Sequence, residues 1–300
     1  MELSTPQPLR WPRADIPASV ANRILDIVWN DGDYSATCAA DLGPAYRDID
    51  LPIETIWAIR NVYVKQKIVN RHRAIMSSRK RILEEYRAIS PAVAAMPGIP
   101  ADICQLSRKW NYPPLYLLRA IFTWLDMHLT AKQMALLFAN PRAADSAIIP
   151  AGRERDQYEL ARSCDASPDS EHVAADAQDR EDAFVARFSA YPHRTQFDLA
   201  LEQTRAYGRP ITTPDILFVP PININGVLIN WIDYKAYIGV PGTFIAGKIR
   251  EQAKRYRTAY GPGAVVFRDG FVHGMKKAVG AICCDERVCP LPAVDAADTQ

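Results

Sequence analysis

No stretch of this chain approaches the roughly 18 consecutive apolar residues of a membrane-crossing helix, so no membrane span is expected. Met1 to Pro17 is polar and proline-rich, without the apolar core of a secretory signal, so export is not expected either. Walker loops and dinucleotide fingerprints are missing, which argues against phosphate-loop and nicotinamide chemistry. There is no internal repeat, which excludes a solenoid or a propeller. A dominant charge is missing too: 36 Lys and Arg against 34 Asp and Glu leave +2, so any nucleic-acid footprint must be local. Cysteine is sparse, and only the last three of Cys38, Cys104, Cys164, Cys283, Cys284 and Cys289 lie close together. That usage predicts free thiols in a reducing, intracellular compartment. Cys283, Cys284 and Cys289 with His273 fit no Cys-x2-Cys pairing, so zinc is not expected.

What is present divides the chain. At 300 residues and 48% hydrophobic, it has material for about two domains of 100–200 residues and a sizeable core. Residues 1–144 read as all helical. Ile16 to Asn30 carries Ile16, Val20, Ile24, Ile27 and Val28 at helical spacing, and Asp31-Gly32-Asp33 ends it. Leu51-Pro52 opens a longer pattern, with apolar residues on enough faces to predict a break. Between Glu54 and Glu84 every charge is positive: Arg60, Lys65, Lys67, Arg71, Arg73, Arg79, Lys80 and Arg81. Such a run is either a solvated helix face or a track for phosphates, and the absence of any acid favours nucleic acid. After the proline-rich break from Ser90 to Pro100, Ala101–Trp110 and Leu115–Leu125 are predicted helices around Asn111-Tyr112-Pro113-Pro114, a spacing compatible with helix-turn-helix geometry. Arg108, Lys109 and Arg119 are then placed to meet phosphates. A further helix spans Ala131 to Phe138, with Thr130 as its cap. Residues 145–183 are rich in Asp and Glu and poor in large apolar residues, and read as an acidic linker or insertion. Residues 184–292 read as α/β, and 293–300 as a disordered tail.

The strongest local pattern runs from Thr213 to Lys235. Two apolar runs, Ile216–Val219 and Val227–Ile232, flank Asn225-Gly226, the pair favoured where both central residues of a tight turn need positive φ. Alternation along a strand puts Asp233 and Lys235 on one face, and a hairpin brings Asp215 to the same end. Two carboxylates and a lysine at the end of apolar strands are either an ion pair or a divalent-metal site, because buried charge has to be matched. Downstream, Thr243 to Tyr260 is a predicted helix on which Gln252 and Tyr256 lie one turn apart on an otherwise apolar stripe. Its other faces carry Lys248, Lys254 and Arg255, a second basic surface. Ala264–Phe267, Phe271–His273 and Val279–Cys284 are predicted strands.

Pro214-Asp215 with Asp233-Tyr234-Lys235 resembles the PD-(D/E)XK pattern of a nuclease superfamily. Thr213-Pro214-Asp215, the Asn230–Ala236 run and Gly261-Pro262-Gly263 together resemble the codanin-interacting nuclease family, over roughly Glu202 to Phe267. The resemblance implies a helix-turn-helix-like domain followed by a restriction-endonuclease-like α/β domain. It also implies a metal-dependent nuclease that hydrolyses phosphodiester bonds, in DNA rather than RNA. Asp215 and Asp233 would hold Mg²⁺ or Mn²⁺, joined by Glu202, or by Asp198, from the preceding helix. Lys235 would position or deprotonate the attacking water, with Gln252 and Tyr256 supporting it. Asp233 stands where the family usually has Glu, one methylene longer. A codanin-like protein partner and a nuclear setting are further implications. The alternative is the same fold serving as a scaffold that binds without cleaving.

Overall fold

A computed structural model describes residues 8–30, 34, 39–89, 100–139, 141, 144–165 and 170–292. The predicted turn at Asp31-Gly32-Asp33, the break at 90–99 and the tail at 293–300 lie outside these residues, as does Cys38. The chain divides into two compact units, Arg23–Ala175 and the combination of Met1–Asn22 with Asp176–Gln300.

A two-residue strand β1 (Asp15–Ile16) precedes helix α1 (Ala18–Asn30), which buries Ala21, Ile24 and Val28 at helical spacing. Helix α2 (Ile53–Ser77) breaks at Ser78, as its mixed faces predict, and α3 (Arg79–Arg87) follows. Helices α4 (Ile103–Trp110) and α5 (Pro114–Leu125) enclose the predicted tight turn, where Asn111 takes up a left-handed conformation (φ 48°). Asp102 caps α4, accepting from the Gln105 N–H at 2.7 Å. Next come α6 (Ala131–Ala139) and α7 (Arg153–Cys164). Thr130 and Gln133 cap α6 reciprocally, each side chain accepting from the other's backbone N–H. One apolar core gathers Ile82, Tyr86, Leu106, Leu118, Phe122 and Tyr158.

Two expectations fail in this unit. Part of the predicted linker at 145–183 is α7, because Tyr158 and Ala161 are fully buried while the charged residues occupy other faces. Another part is α8 (Ser170–Ala186), whose C-terminal end supplies buried Phe184 to the second unit. Cys104 and Cys164 are not free thiols but a disulfide: they are 60 residues apart, and α4 and α7 pack together.

The second unit is built on a five-stranded mixed sheet. Strand β2 (His193–Thr195) leads into α9 (Gln196–Tyr207), and β3 (Ile216–Ile224) and β4 (Val227–Lys235) form the predicted hairpin. Asn225 and Gly226 both have positive φ, 53° and 84°, as that turn requires. Helix α10 (Phe244–Tyr260), capped by Thr243, crosses to β5 (Gly263–Phe267), which is parallel to β4. After β6 (Phe271–Val272) and α11 (Met275–Val279), β7 (Ile282–Asp285) adds to β5, also parallel. The sheet order is β2-β3-β4-β5-β7. One face packs on Phe184 of α8 and Phe188 just beyond it, together with Leu9 and Trp11; the other packs on α9, α10 and α11 through Leu199, Ile249, Tyr256 and Met275. Here β6 pairs with β1 rather than folding back on β5, and the predicted strand from Val279 begins only at Ile282, because Met275–Val279 forms α11.

The turn alone would misalign the hairpin. Near it, Ile224 faces Val227 and Ile222 faces Ile229, a register that would carry Asp215 opposite Ala236. Val219, Pro220 and Pro221 form a bulge instead. Proline has no N–H to give a ladder. Beyond the bulge Leu217 faces Trp231 and Ile216 faces Ile232, which sets Asp215 level with Asp233.

Gly263 sits under the Trp231 indole, and a Cβ there would lie 2.0 Å from the ring. Gly263→Ala is expected to destabilise the fold by about 1–3 kcal/mol through overpacking. Gly247→Ala, in an open position on α10, is expected to stabilise it by up to about 1 kcal/mol. Urea titrations of both variants check the pair.

Candidate active site

Asp215 and Asp233 are almost wholly buried, 6% and 2% exposed. The Tyr234 N–H donates to Asp215 Oδ2 at 2.5 Å, so the backbone of β4 holds the first carboxylate. Lys235 Nζ lies 2.6 Å from Asp233 Oδ2. The other oxygen, Asp233 Oδ1, is buried and has no hydrogen-bond partner among the described residues. Burial raises Asp215 well above the usual carboxylate range, and the charges of Asp233 and Glu181 add to the effect. Burial likewise raises Asp233, opposed by Lys235. On Lys235 burial works against the charge, but the two aspartates win and hold the ammonium above the usual lysine range. Lys235 therefore stands beside the two aspartates as a hydrogen-bond donor and counter-charge.

Gln252 and Tyr256 form a linked pair, as their spacing predicts. Gln252 Nε2 donates to the Tyr256 hydroxyl at 2.8 Å, and that hydroxyl donates to the Thr213 carbonyl at 3.1 Å. Helix α10 is thus tied to the residue two before Asp215. The pair fixes the backbone that carries the carboxylate.

The predicted helical acids do not join this group. Glu202 is exposed on α9 and paired with Arg194. Asp198 accepts from the Thr195 hydroxyl and N–H at 2.8 and 2.9 Å and caps the same helix. Both lie on the outer side of α9, which buries only Leu199. The acid that the structure brings up is Glu181, half-buried on α8. It sits one turn before Phe184, whose ring stacks on Tyr234 at 4.8 Å. Burial raises Glu181 above its usual range, with Lys235 opposing and Asp233 adding to the shift. In sequence Glu181 is one of many acids in a stretch that looks like a linker. Its only signal is the pair Phe184 and Phe188, four residues apart. Among the described residues no three His, Cys, Asp or Glu side chains come close enough to share a metal ion, so the protein's own donors here are the two aspartates. They fit a hard divalent cation: all-oxygen, buried, short of counter-charge and with one carboxylate oxygen unpartnered. Mg²⁺ is commonly held by one or two carboxylates with waters completing its shell.

Of the proposed phosphate-contacting residues, Lys65, Arg73, Arg79, Lys80, Arg81, Lys248, Lys254 and Arg255 are exposed, and Arg71 is half-buried. Arg81 is engaged with Glu85 at 3.2 Å. Lys67 is a correction. It is fully buried, its ammonium donates to the Val28 carbonyl at 2.6 Å, and it sits over the Tyr34 ring. The helical stripe through Ile56, Ile59 and Tyr63 turns Lys67 inward, so it serves the core and meets no phosphate. Arg60 is buried in the same way, against Trp57. The exposed face of α5 is narrow: Tyr116, Arg119 and Thr123.

Residues 189–287 match a family described as a protein of unknown function with a TPD sequence motif. The match spans Thr213-Pro214-Asp215 and leaves Glu181 outside. Over 81 residues the chain is 36% identical to an uncharacterized protein of Acanthamoeba polyphaga mimivirus, a stretch covering 26% of this chain and 28% of that protein. No solved structure matches.

The folded state holds Asp215 above its unfolded pKa, so at neutral pH its ionised form costs stability. That cost fades as pH falls through the folded pKa and is gone below the unfolded value near ~3.9. In EDTA, Asp215→Asn, which can still accept from the Tyr234 N–H, is expected to raise Tm at pH 7. The gain should shrink toward pH 4. A Tm difference that is constant with pH would contradict this electrostatic account.

Proposed function

We propose that this protein is a metal-dependent phosphodiesterase acting on nucleic acid, with DNA the favoured substrate, built on a restriction-endonuclease-like domain. The observation that carries the reading is the unpartnered buried oxygen of Asp233, beside a second buried carboxylate and a protonated lysine. Leaving a buried polar oxygen without a partner costs roughly 1–3 kcal/mol, a cost that a bound cation would offset. Asp215 and Asp233 would hold Mg²⁺ or Mn²⁺. Bound there, the cation supplies Lewis-acid stabilisation of charge on the phosphate and the leaving oxygen. Lys235 supplies a positive charge and a hydrogen-bond donor at the same point, orienting the attacking water and offsetting charge on the phosphate. Its raised pKa makes deprotonation of that water a poor role for it. Gln252 and Tyr256 act as positioning residues through Thr213. The exposed cations of α10, Lys248, Lys254 and Arg255, provide a phosphate-contacting surface in the same unit. The exposed basic residues of α2 and α3 supply another.

The Lys235–Asp233 ion pair also supports a second reading, a silent scaffold whose lysine neutralises a structural aspartate. In that role the protein binds nucleic acid or a codanin-like partner without cutting.

Labelled single-stranded, duplex and branched DNA separate the two. Cleavage is expected with Mg²⁺ or Mn²⁺ and not in EDTA, and it is expected to fall by at least about 100-fold in Asp233→Ala and Lys235→Ala. Wild-type rates in either variant would sink the nuclease reading. Retained binding with no cleavage under any metal would establish the scaffold.

A further inference from the structure

Away from the carboxylates, the sheet-bearing unit has a concavity of about 840 Å³. None of Glu181, Asp215, Asp233, Lys235, Gln252 and Tyr256 lines it. It lies where β4 and β5 begin and beside β7, bounded by Val227, Gly263 and Ala281. Asp233 stands six residues beyond Val227, about 20 Å at the usual strand rise.

The walls and the rim differ in chemistry. Trp11, Val227, Pro262, Phe271 and Ile282 give apolar walls. Arg13, Arg257, Lys276 and Lys277 line the same space; all four are exposed, and among the described residues none pairs with a carboxylate. Arg257 is held at its place by a hydrogen bond from Nη1 to the Gly280 carbonyl at 3.3 Å. Asp15, the one acid among the lining residues, is occupied by His273 at 2.7 Å.

Small-molecule sites typically enclose about 300–1,000 Å³, with apolar walls and a few placed polar groups. This groove has that size and that division. Two guanidinium forks and two ammonium groups call for an anion with several oxygens, for which phosphate is well suited. The apolar walls call for a flat, uncharged body attached to it. We propose that this groove binds an organic phosphate of nucleotide size, with its body against Val227, Pro262 and Phe271 and its phosphate among Arg13, Arg257, Lys276 and Lys277. The site is independent of the phosphodiesterase reading and needs no metal.

The test is calorimetric titration of the full chain in EDTA with adenosine monophosphate, inorganic phosphate, adenosine and an acidic peptide. Saturable binding of adenosine monophosphate is expected, at least about tenfold tighter than phosphate or adenosine alone. It should weaken by about tenfold or more in Lys276→Glu/Lys277→Glu and in Val227→Glu, all changed at exposed positions and checked for folding by circular dichroism. Asp233→Asn should leave it unchanged. The proposal is overturned if adenosine monophosphate does not bind, if phosphate alone binds as well, or if both groove variants bind normally. It is equally overturned if Asp233→Asn abolishes binding, which would place the ligand among the carboxylates, or if only the acidic peptide binds.

Discussion

Two carboxylates buried side by side against a single ammonium govern the architecture of the sheet-bearing unit. Charge taken out of water is costly, and in a low-dielectric setting like charges repel strongly. Lys235 neutralises one of the pair, and the Tyr234 N–H stabilises the other. What remains is an excess of negative charge, increased by Glu181 and expressed in the raised pKa values of all three acids. The fold supports this excess through its neighbours: the apolar faces of the sheet, the α10 tether through Tyr256, and the aromatic stack of Phe184 on Tyr234. Shifts of this kind, caused by burial together with specific charged neighbours, cluster at functional sites.

The same sheet separates two kinds of chemistry along its length. Acidic groups gather where β4 ends, and basic groups with apolar walls gather where β4 and β5 begin. Parallel strands make this separation possible. Helix α10 has to return the chain from the end of β4 to the start of β5, so its C-terminal turn delivers Arg257 to the opposite end from Asp233. A chain of near-zero net charge thus carries strongly signed local fields, which composition averages away.

Much of the architecture was legible because it rests on local rules. Asn225-Gly226 marks a turn through its tolerance of positive φ; the stripe on α10 marks a helix with Gln252 and Tyr256 on one face; the tight connection at Asn111 marks the boundary of α4 and α5. Errors arose where long-range packing decided. Lys67 looked like one member of a basic run, yet the stripe of its own helix turns it inward onto the Val28 carbonyl. The acid-rich stretch looked unable to fold, yet Tyr158 and Phe184 anchor its helices in cores made by other segments. Glu202 looked well placed by order along the chain, and the inward face of α9 excludes it.

The sequence by itself determined which groups could do chemistry: Asp215, Asp233 and Lys235 at the open end of a hairpin, with Gln252 and Tyr256 one turn apart. Those features depend on strand alternation and helical period, which act over a few residues. Only the tertiary structure decided their alignment and surroundings. The bulge at Val219–Pro221 shifts the register by three residues and so sets Asp215 against Asp233 rather than beside Ala236. The approach of Glu181, the burial that shifts every pKa at the site, and the joining of Trp11 and Arg13 to a groove formed with residues more than 200 positions away are products of packing. Burial and electrostatic fields are sums over neighbours in space, and no local pattern contains them.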